Sequence, residues 1–377
     1  MAKSKVTKLK KGALDIDSIR GIINKKAGRE VAHSLQDNNP TEVKEWIPTG
    51  SRWLDAIICK GRPAGIPVGK ISEIAGLPGT GKSFLAAQIA GNAQKMGIDV
   101  VYFDSESAID PSFMERAGCD LDRLMYVQAA SVEFVLETIE ELLATGNKWL
   151  FIWDSLALTP SISDVEGDFN PQSSMAVKPR ILAKGMSKLT IPIADANATF
   201  LVLNQLKTNL GARTPAQAMT EPYTTPGGKA MIYAYSLRVW LTARKAKASF
   251  IVDDNGFRIG SEVKVKLEKS RFGTNGRTCN FKILWGDDAV GVQDEESWFD
   301  AIQISERLEQ SGAWFTLIHN DGTKEKFQRK QWITKLESEK FRESVLTIIE
   351  EDVIMKFKNR EGNAGDFYDA DENPPTE

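Results

Sequence analysis

Histidine and cysteine are scarce: 377 residues contain two of the first and three of the second. His33 and His319 stand far apart, and Cys59, Cys119 and Cys279 form no CxxC pair, so neither a zinc centre nor a disulfide framework is expected. Cysteine used so sparingly fits a reduced, cytoplasmic setting. Long apolar runs are also missing. Nothing reaches membrane-spanning length, and the basic start MAKSKVTKLKKG lacks the apolar stretch of a signal peptide, which argues against a membrane protein and against secretion. A dominant charge is lacking too: the net charge of −3 speaks against a nucleic-acid binder that works through its average surface. Charge is gathered at the ends instead. Residues 1–30 carry nine cations against three acids, and from Glu361 onward every charge is acidic. Both ends read as solvated, a basic arm over 1–12 and an acidic, disordered tail over 358–377.

The stretch 76–83 carries the clearest chemistry. Gly76, Leu77, Pro78, Gly79, Thr80, Gly81, Lys82 and Ser83 fit the pattern G-x-x-x-x-G-K-[ST] at every fixed position. Gly76 and Gly81 let the backbone turn tightly and aim its N–H groups inward as an anion nest. Lys82 supplies a point charge for β- and γ-phosphates, and the Ser83 hydroxyl can ligate Mg²⁺. A strand is predicted over 70–75 and a helix over 83–96, with apolar positions at Leu85, Ile89, Ala93 and Met96 and a stop at Gly97. That helix would add its positive end to a phosphate site.

Around this stretch the chain alternates. Residues 14–35 have helical apolar spacing at Ile16, Ile19, Ile23, Ala27 and Val31, so 1–45 read as a basic arm plus a helix that serves packing or polymerisation. Strands are predicted over 99–104, 149–153 and 199–203, with a helix over 131–143. Such alternation implies an α/β fold with a mostly parallel sheet and ligands at the carboxyl ends of its strands, occupying 46–290. Antiparallel strands over 236–242, 262–267 and 280–285 are expected to finish the sheet. Residues 298–355 alternate short apolar segments with charge and read as a small, separate, α-rich domain within 291–357. Two long polar connections, 161–180 and 207–228, exceed what a compact domain needs for a turn. The second holds Lys207, Arg213, Tyr223 and the hinge pair Gly227 and Gly228, a mixture that suits a nucleic-acid-gripping loop or a substrate lid.

Nucleotide hydrolysis needs a phosphate cradle, a Mg²⁺ partner, a group to activate water and positive charge for the transition state. Asp154 ends an apolar strand, where an acid is in isolation a turn or helix cap and, paired with the P-loop, fits the Walker B arrangement in which a carboxylate holds the Mg²⁺ shell. Glu106 lies just past the neighbouring strand, as general base or as a capping carboxylate. Gln205 ends a third strand and either senses the γ-phosphate or simply terminates the strand. Lys269 and Arg271 fall, by strand periodicity, in phase with Val263, Val265 and Leu267 where the chain leaves the sheet. A cation pair there must find solvent, an acid or a phosphate.

Taken in order, GLPGTGKS, FDSESAIDP (103–111), FIWDSLALTP (151–160), LVLNQ (201–205), TTPGGKA (224–230) and LEKSR (267–271) resemble the RecA family of DNA strand-exchange recombinases. The DSE and EKSR pieces look closest to the phage UvsX-type members. The likeness covers roughly 45–320 and implies a RecA-like P-loop core with an N-terminal oligomerisation arm and a small C-terminal domain. It implies ATP and Mg²⁺ as cofactors, with residues 76–83 and Phe84 around the nucleotide and Asp110 and Phe113 beside them. Phe113 stands where the family pattern has a tyrosine stacked on adenine. Lys82 and Ser83 would bind phosphate and Mg²⁺, with Asp154 as Walker B acid, Glu106 as base and Gln205 as γ-phosphate switch. Lys269 and Arg271 match the pair that reaches into a neighbour's nucleotide. Residues 161–174 and 206–226 match the two DNA-contacting loops, with Lys207, Arg213, Gly227 and Gly228 as candidate contacts.

The function so implied is ATP-dependent homologous recombination and repair: a helical filament on single-stranded DNA, pairing with duplex DNA, and turnover by hydrolysis. Single-strand-binding and mediator proteins are candidate partners, in a host cytoplasm if the chain is phage-encoded. A hexameric helicase motor is disfavoured because no large domain precedes the core, and a non-catalytic mediator because Glu106 is intact. DNA lining a filament interior would remove the objection raised by the acidic balance.

Overall fold

The computed structural model describes residues 15–36, 39, 41–60, 63–107, 109–167, 177–211, 214–243, 249–286 and 290–353. Two compact units are resolved, residues 1–44 and 45–377. The first holds α1 (Ile16–Ala27), capped by Asp15, whose carboxylate accepts from Ser18 N at 2.6 Å. Helix α1 is shorter than the periodicity predicted, because Gly28 takes the left-handed conformation and ends it. It buries no residue of its own: Ile16, Ile19, Ile22 and Ile23 stay exposed. The basic arm over 1–12 and the acidic tail over 358–377 lie outside the described residues.

The second unit opens with β1 (Trp46–Ile47), α2 (Arg52–Ile58) and β2 (Ile66–Pro67), the two strands pairing antiparallel. The core then alternates: β3 (Ile71–Gly76), α3 (Lys82–Lys95), β4 (Asp99–Asp104), α4 (Pro111–Arg116), β5 (Leu124–Gln128), α5 (Val132–Leu143) and β6 (Trp149–Asp154). It continues with α6 (Ile162–Glu166), α7 (Val177–Asp195), β7 (Thr199–Gln205), β8 (Lys207–Thr208), α8 (Pro215–Thr220), β9 (Tyr223–Thr224), α9 (Lys229–Ala234) and β10 (Leu237–Ala243). Strands β11 (Phe250–Val252), β12 (Arg258–Ser270), β13 (Thr278–Leu284) and β14 (Gly291–Gln293) complete the sheet.

Its order is β14-β13-β12-β10-β3-β7-β6-β4-β5, with β11 on β12. Strand β10 was expected in the antiparallel group, but it runs parallel to β3 and antiparallel to β12. The chain reaches it through α9, a crossover that returns it beside β3 in the same direction. Strands β4, β6 and β7 are largely apolar on both faces because both are covered. Leu85, Ile89 and Ala93 of α3 meet Val100, Ile152 and Leu203 on one side. Val135 and Ile139 of α5 and Leu182, Met186 and Leu189 of α7 meet Val101, Phe151 and Val202 on the other. Each such leucine or isoleucine contributes about 1.5–3 kcal/mol by burial. Ser131 starts α5 by accepting from Phe134 N at 3.1 Å, a cap worth about 1 kcal/mol.

The two long connections are more ordered than their composition suggested. Helices α6 and α7 occupy part of 161–180, and only 168–176 lie outside the described residues. Within 207–228, β8 and β9 pair as a short ribbon around α8.

The C-terminal segment is helical as expected, with a three-stranded meander set among its helices. After α10 (Asp294–Ala301) come β15 (Leu308–Ser311), β16 (Trp314–Ile318) and β17 (Lys324–Gln328), an antiparallel meander, and then α11 (Trp332–Leu336) and α12 (Glu339–Ile348). It is not separate. Phe299 packs edge-on against Phe315 and Trp332, at centroid distances of 4.9 and 5.2 Å, within the same apolar cluster that underlies α3.

Asp55 of α2 is 7% exposed and accepts from Thr49 N at 3.1 Å and Thr49 Oγ1 at 2.7 Å. Burial pushes its carboxyl up to about 8, against the pull of those bonds. A folded-state value raised above the unfolded one stabilises at low pH, and that stability is lost as pH rises from about 4 through 8. Asp55→Asn is therefore expected to flatten the fall in urea midpoint between pH 5 and pH 8; an unchanged slope would remove Asp55 as its source.

Candidate active site

Gly76 ends β3 and Gly81 opens α3, so the chain reverses between a strand end and a helix N-terminus. Gly81 has φ +83°, and a Cβ there would meet Ile283 Cδ1 at 2.6 Å. A Cβ on Gly76 would meet Thr80 Oγ1 at the same distance. At Gly81 the left-handed backbone disfavours any side chain, at Gly76 a Cβ would force Thr80 to shift, and no side chain caps the first turn of α3. Its free N–H groups and positive end therefore suit an anion.

Lys82 is partly buried, and among the described residues its Nζ makes only long contacts, of 3.4 Å, to the carbonyls of Gly76 and Leu77. Burial lowers its pKa, against the opposing pull of Asp154 and Glu106. Ser83 Oγ donates to Asp154 Oδ2 at 2.7 Å, and Tyr102 Oη donates to the same oxygen at 2.9 Å. Asp154 is 7% exposed and burial raises its pKa.

Glu106 follows β4 in a turn built by Asp104, whose Oδ1 accepts from Glu106 N at 2.8 Å and Ser107 N at 2.9 Å. Ser155 Oγ donates to Glu106 Oε1 at 2.9 Å, so the base candidate is fixed from the end of the neighbouring strand. Gln205 ends β7 opposite Gly76 in the register. Beside it, Asn204 Nδ2 donates to Glu73 Oε1 and to Pro226 O, both at 3.0 Å, joining this strand end to the end of the 206–228 segment.

These groups share one cavity of about 650 Å³ at the carboxyl ends of the parallel strands, lined by Lys82, Ser83, Glu106, Asp154 and Gln205 together with Pro78, Gly79 and Gly81. Its other end is aromatic. Phe113 meets Phe84 edge-on at 4.2 Å, and Trp285 lies 5.9 Å from Phe84. Asp110 also lines the cavity, while its carboxylate caps α4 by accepting from Ser112 N at 3.0 Å.

Four lining or supporting residues were not read from the sequence: Arg116, Arg258, Trp285 and Tyr102. Arg258 lies over the rings of Phe250 and Trp285 at 3.8 and 5.0 Å. Trp285 ends a predicted strand, which was the available signal; nothing in the local pattern marked the others.

Lys269 and Arg271 stand apart from this cavity, and their phase differs from the periodicity reading. The β10–β12 pairing slips between Arg238 and Val239, leaving Glu268 as an extra residue. That bulge turns Lys269 to the face of its partner Arg238, opposite Leu267. Lys269 Nζ donates to Ile232 O at 2.8 Å, and Arg271 Nη2 to Tyr233 O at 2.8 Å, the last carbonyls of α9. Burial first, then Arg271 and Arg238, lowers the Lys269 pKa to about 8.

Of the DNA candidates, Lys207 is exposed on β8, Gly227 and Gly228 lead into α9 with φ +109° and +79°, and Arg213 lies outside the described residues.

The donor set fits a hard cation and a nucleotide. Among the described residues no group of three or more His, Cys, Asp or Glu could hold a metal. A hydroxyl and one carboxylate are what Mg²⁺ takes when phosphates and water supply the rest. A partly buried ammonium with long contacts alone among the described residues matches an anion in the cradle. Among the described residues no helix is long and apolar enough to cross a membrane.

Residues 15–290 match the sequence family described as RecA N-terminal domain. The chain is 31% identical to protein RecA of Bifidobacterium breve over 301 residues, which cover 80% of this chain and 72% of that protein. It is 30% identical to protein RecA of Haemophilus ducreyi over 302 residues, covering 80% and 76%.

Proposed function

The chain belongs to the RecA family, and on that premise we propose that its cavity is one half of an ATP site that a neighbouring copy completes on DNA. As a family member it is a recombination and repair protein and a DNA-dependent ATPase that uses ATP with Mg²⁺, binds DNA and forms filaments. The observation that carries the proposal is the division of the charged groups. Lys82, Ser83, Glu106, Asp154 and Gln205 line one cavity, while Lys269 and Arg271 lie elsewhere and, among the described residues, their side chains bond only to carbonyls of α9.

In this reading Lys82 holds the β- and γ-phosphates, and Ser83 with Asp154 holds Mg²⁺. The metal, when bound, neutralises charge that develops on the phosphate oxygens. Glu106, oriented by Ser155, takes the proton of the attacking water. Phe84, Phe113 and Trp285 receive the base. Gln205 reports the γ-phosphate through its neighbour Asn204, whose bond to Pro226 O reaches the 206–228 segment. Lys207, Arg213, Gly227 and Gly228 serve DNA in that segment, 1–45 is the arm that docks on the next copy, and 291–357 is an accessory region. The Asp104-Ser105-Glu106 and Glu268–Arg271 stretches support a phage UvsX-type member, working in a host cytoplasm beside single-strand-binding and mediator proteins.

Electron microscopy of the chain on single-stranded DNA, with and without a slowly hydrolysed ATP analogue, tests this alongside ATPase rates. Filaments that need nucleotide, and hydrolysis that needs DNA, are expected. Lys82→Ala is expected to lose both, with a rate loss of about 10²–10³ for removal of one aligned charge. Hydrolysis that ignores DNA would refute the proposal.

A further inference from the structure

Tyr102 is wholly buried on β4, on the sheet face covered by α3, among Leu85, Ile89, Val100 and Ile152. A phenol in such apolar company needs a partner for its hydroxyl. The partner is Asp154 Oδ2, at 2.9 Å, the same oxygen that Ser83 Oγ reaches at 2.7 Å. Strands β4 and β6 pair in parallel with Tyr102 opposite Ile152, so the ring extends one pleat toward the carboxyl end to reach Asp154. Two donors from different elements therefore converge on one carboxylate oxygen and leave Oδ1 without a side-chain donor among the described residues. Ser83 alone leaves the carboxylate free to pivot about its Cβ–Cγ bond; a second donor to the same oxygen, from another element, restricts that freedom.

We infer that Tyr102 is a positioning residue for the metal site: its hydroxyl locks the Asp154 carboxylate in the orientation that serves Mg²⁺ beside Ser83. The inference rests on the ATP–Mg²⁺ reading of the cavity. Groups that orient a metal-binding carboxylate typically change metal affinity by about 10–100-fold when removed. Phenylalanine keeps the ring and its packing and deletes only the donor, so Tyr102→Phe isolates the bond.

Mn²⁺ serves as a paramagnetic probe, titrated by electron paramagnetic resonance into the full chain with ADP. ADP affinity in EDTA and the melting temperature are measured in parallel. Tyr102→Phe is expected to weaken Mn²⁺ binding about 10–100-fold while leaving metal-free ADP binding and melting close to the parent. Unchanged Mn²⁺ affinity overturns the inference. Equal loss of ADP binding in EDTA also overturns it, since a packing role would act on both. Ser83→Ala is titrated alongside: if it too leaves Mn²⁺ binding intact, the metal reading of the site has failed, and the role of Tyr102 falls with it.

Discussion

Replacing Lys269 and Arg271 together by alanine leaves ATP binding intact and lowers DNA-dependent hydrolysis by about 10³–10⁵, the range seen when transition-state cations are supplied in trans and then removed. The geometry explains why binding survives. Neither side chain lines the cavity of its own subunit, and their donors are occupied by Ile232 O and Tyr233 O at the end of α9. Cations at a helix C-terminus are held by about 0.3–1 kcal/mol each, little enough for a phosphate to compete. Leaving those carbonyls would also loosen α9, which starts at Gly228 and follows the 206–228 segment. Hydrolysis would then wait for a neighbour, and a neighbour is what a DNA filament provides. Equilibrium binding of a fluorescent ATP analogue, set beside steady-state ATPase rates with DNA, separates the two effects. A variant that hydrolyses at the parental rate would leave the pair as caps of α9 and nothing more.

Glu106→Gln is the second large effect expected, and of the opposite kind. Glutamine keeps the size of the side chain and can still meet Ser155 Oγ, which now donates to its carbonyl oxygen. It cannot take a proton. General-base removal typically costs about 10²–10⁴ in rate, so ATP stays bound, turnover stops and filaments persist. Filament lifetime by light scattering after dilution, measured with ATP, reads this directly. Filaments that decay at the parental rate would show that the proton goes elsewhere.

Much of the site was legible in sequence because each group stands at a strand end in a fixed pattern. Gly76–Ser83 needs glycine where the backbone is left-handed, at Gly81, and where Thr80 and Leu241 crowd the chain, at Gly76. Asp154, Glu106 and Gln205 each follow an apolar strand, and parallel packing of β6, β4 and β7 carries them to one edge. The face of Lys269 was not legible: a single unpaired residue, Glu268, reverses the alternation, and nothing local to LEKSR announces a bulge. Edge strand β5 was missed because its sequence LMYVQ leaves Met125 and Tyr126 exposed and breaks the expected burial pattern. Helix α7 was missed because Gly185 and Pro192 weaken its signal, although Gly185 gives room to Leu136, whose Cδ1 a Cβ would meet at 2.5 Å. The meander β15–β17 is short and charged on one face, a pattern that helix and strand readings share. Tyr102 reads as one more core aromatic until its hydroxyl is seen on Asp154.

The shared site is tested most directly by mixing two inactive proteins. Glu106→Gln retains Lys269 and Arg271, and the double alanine variant retains Glu106. Co-assembled on single-stranded DNA, some interfaces must pair an intact Glu106 with an intact cation pair from the next copy. The account predicts that ATPase activity reappears in the mixture, rises to a maximum near equal proportions and is absent from either variant alone. Filaments shown to contain both proteins yet still inactive would contradict it.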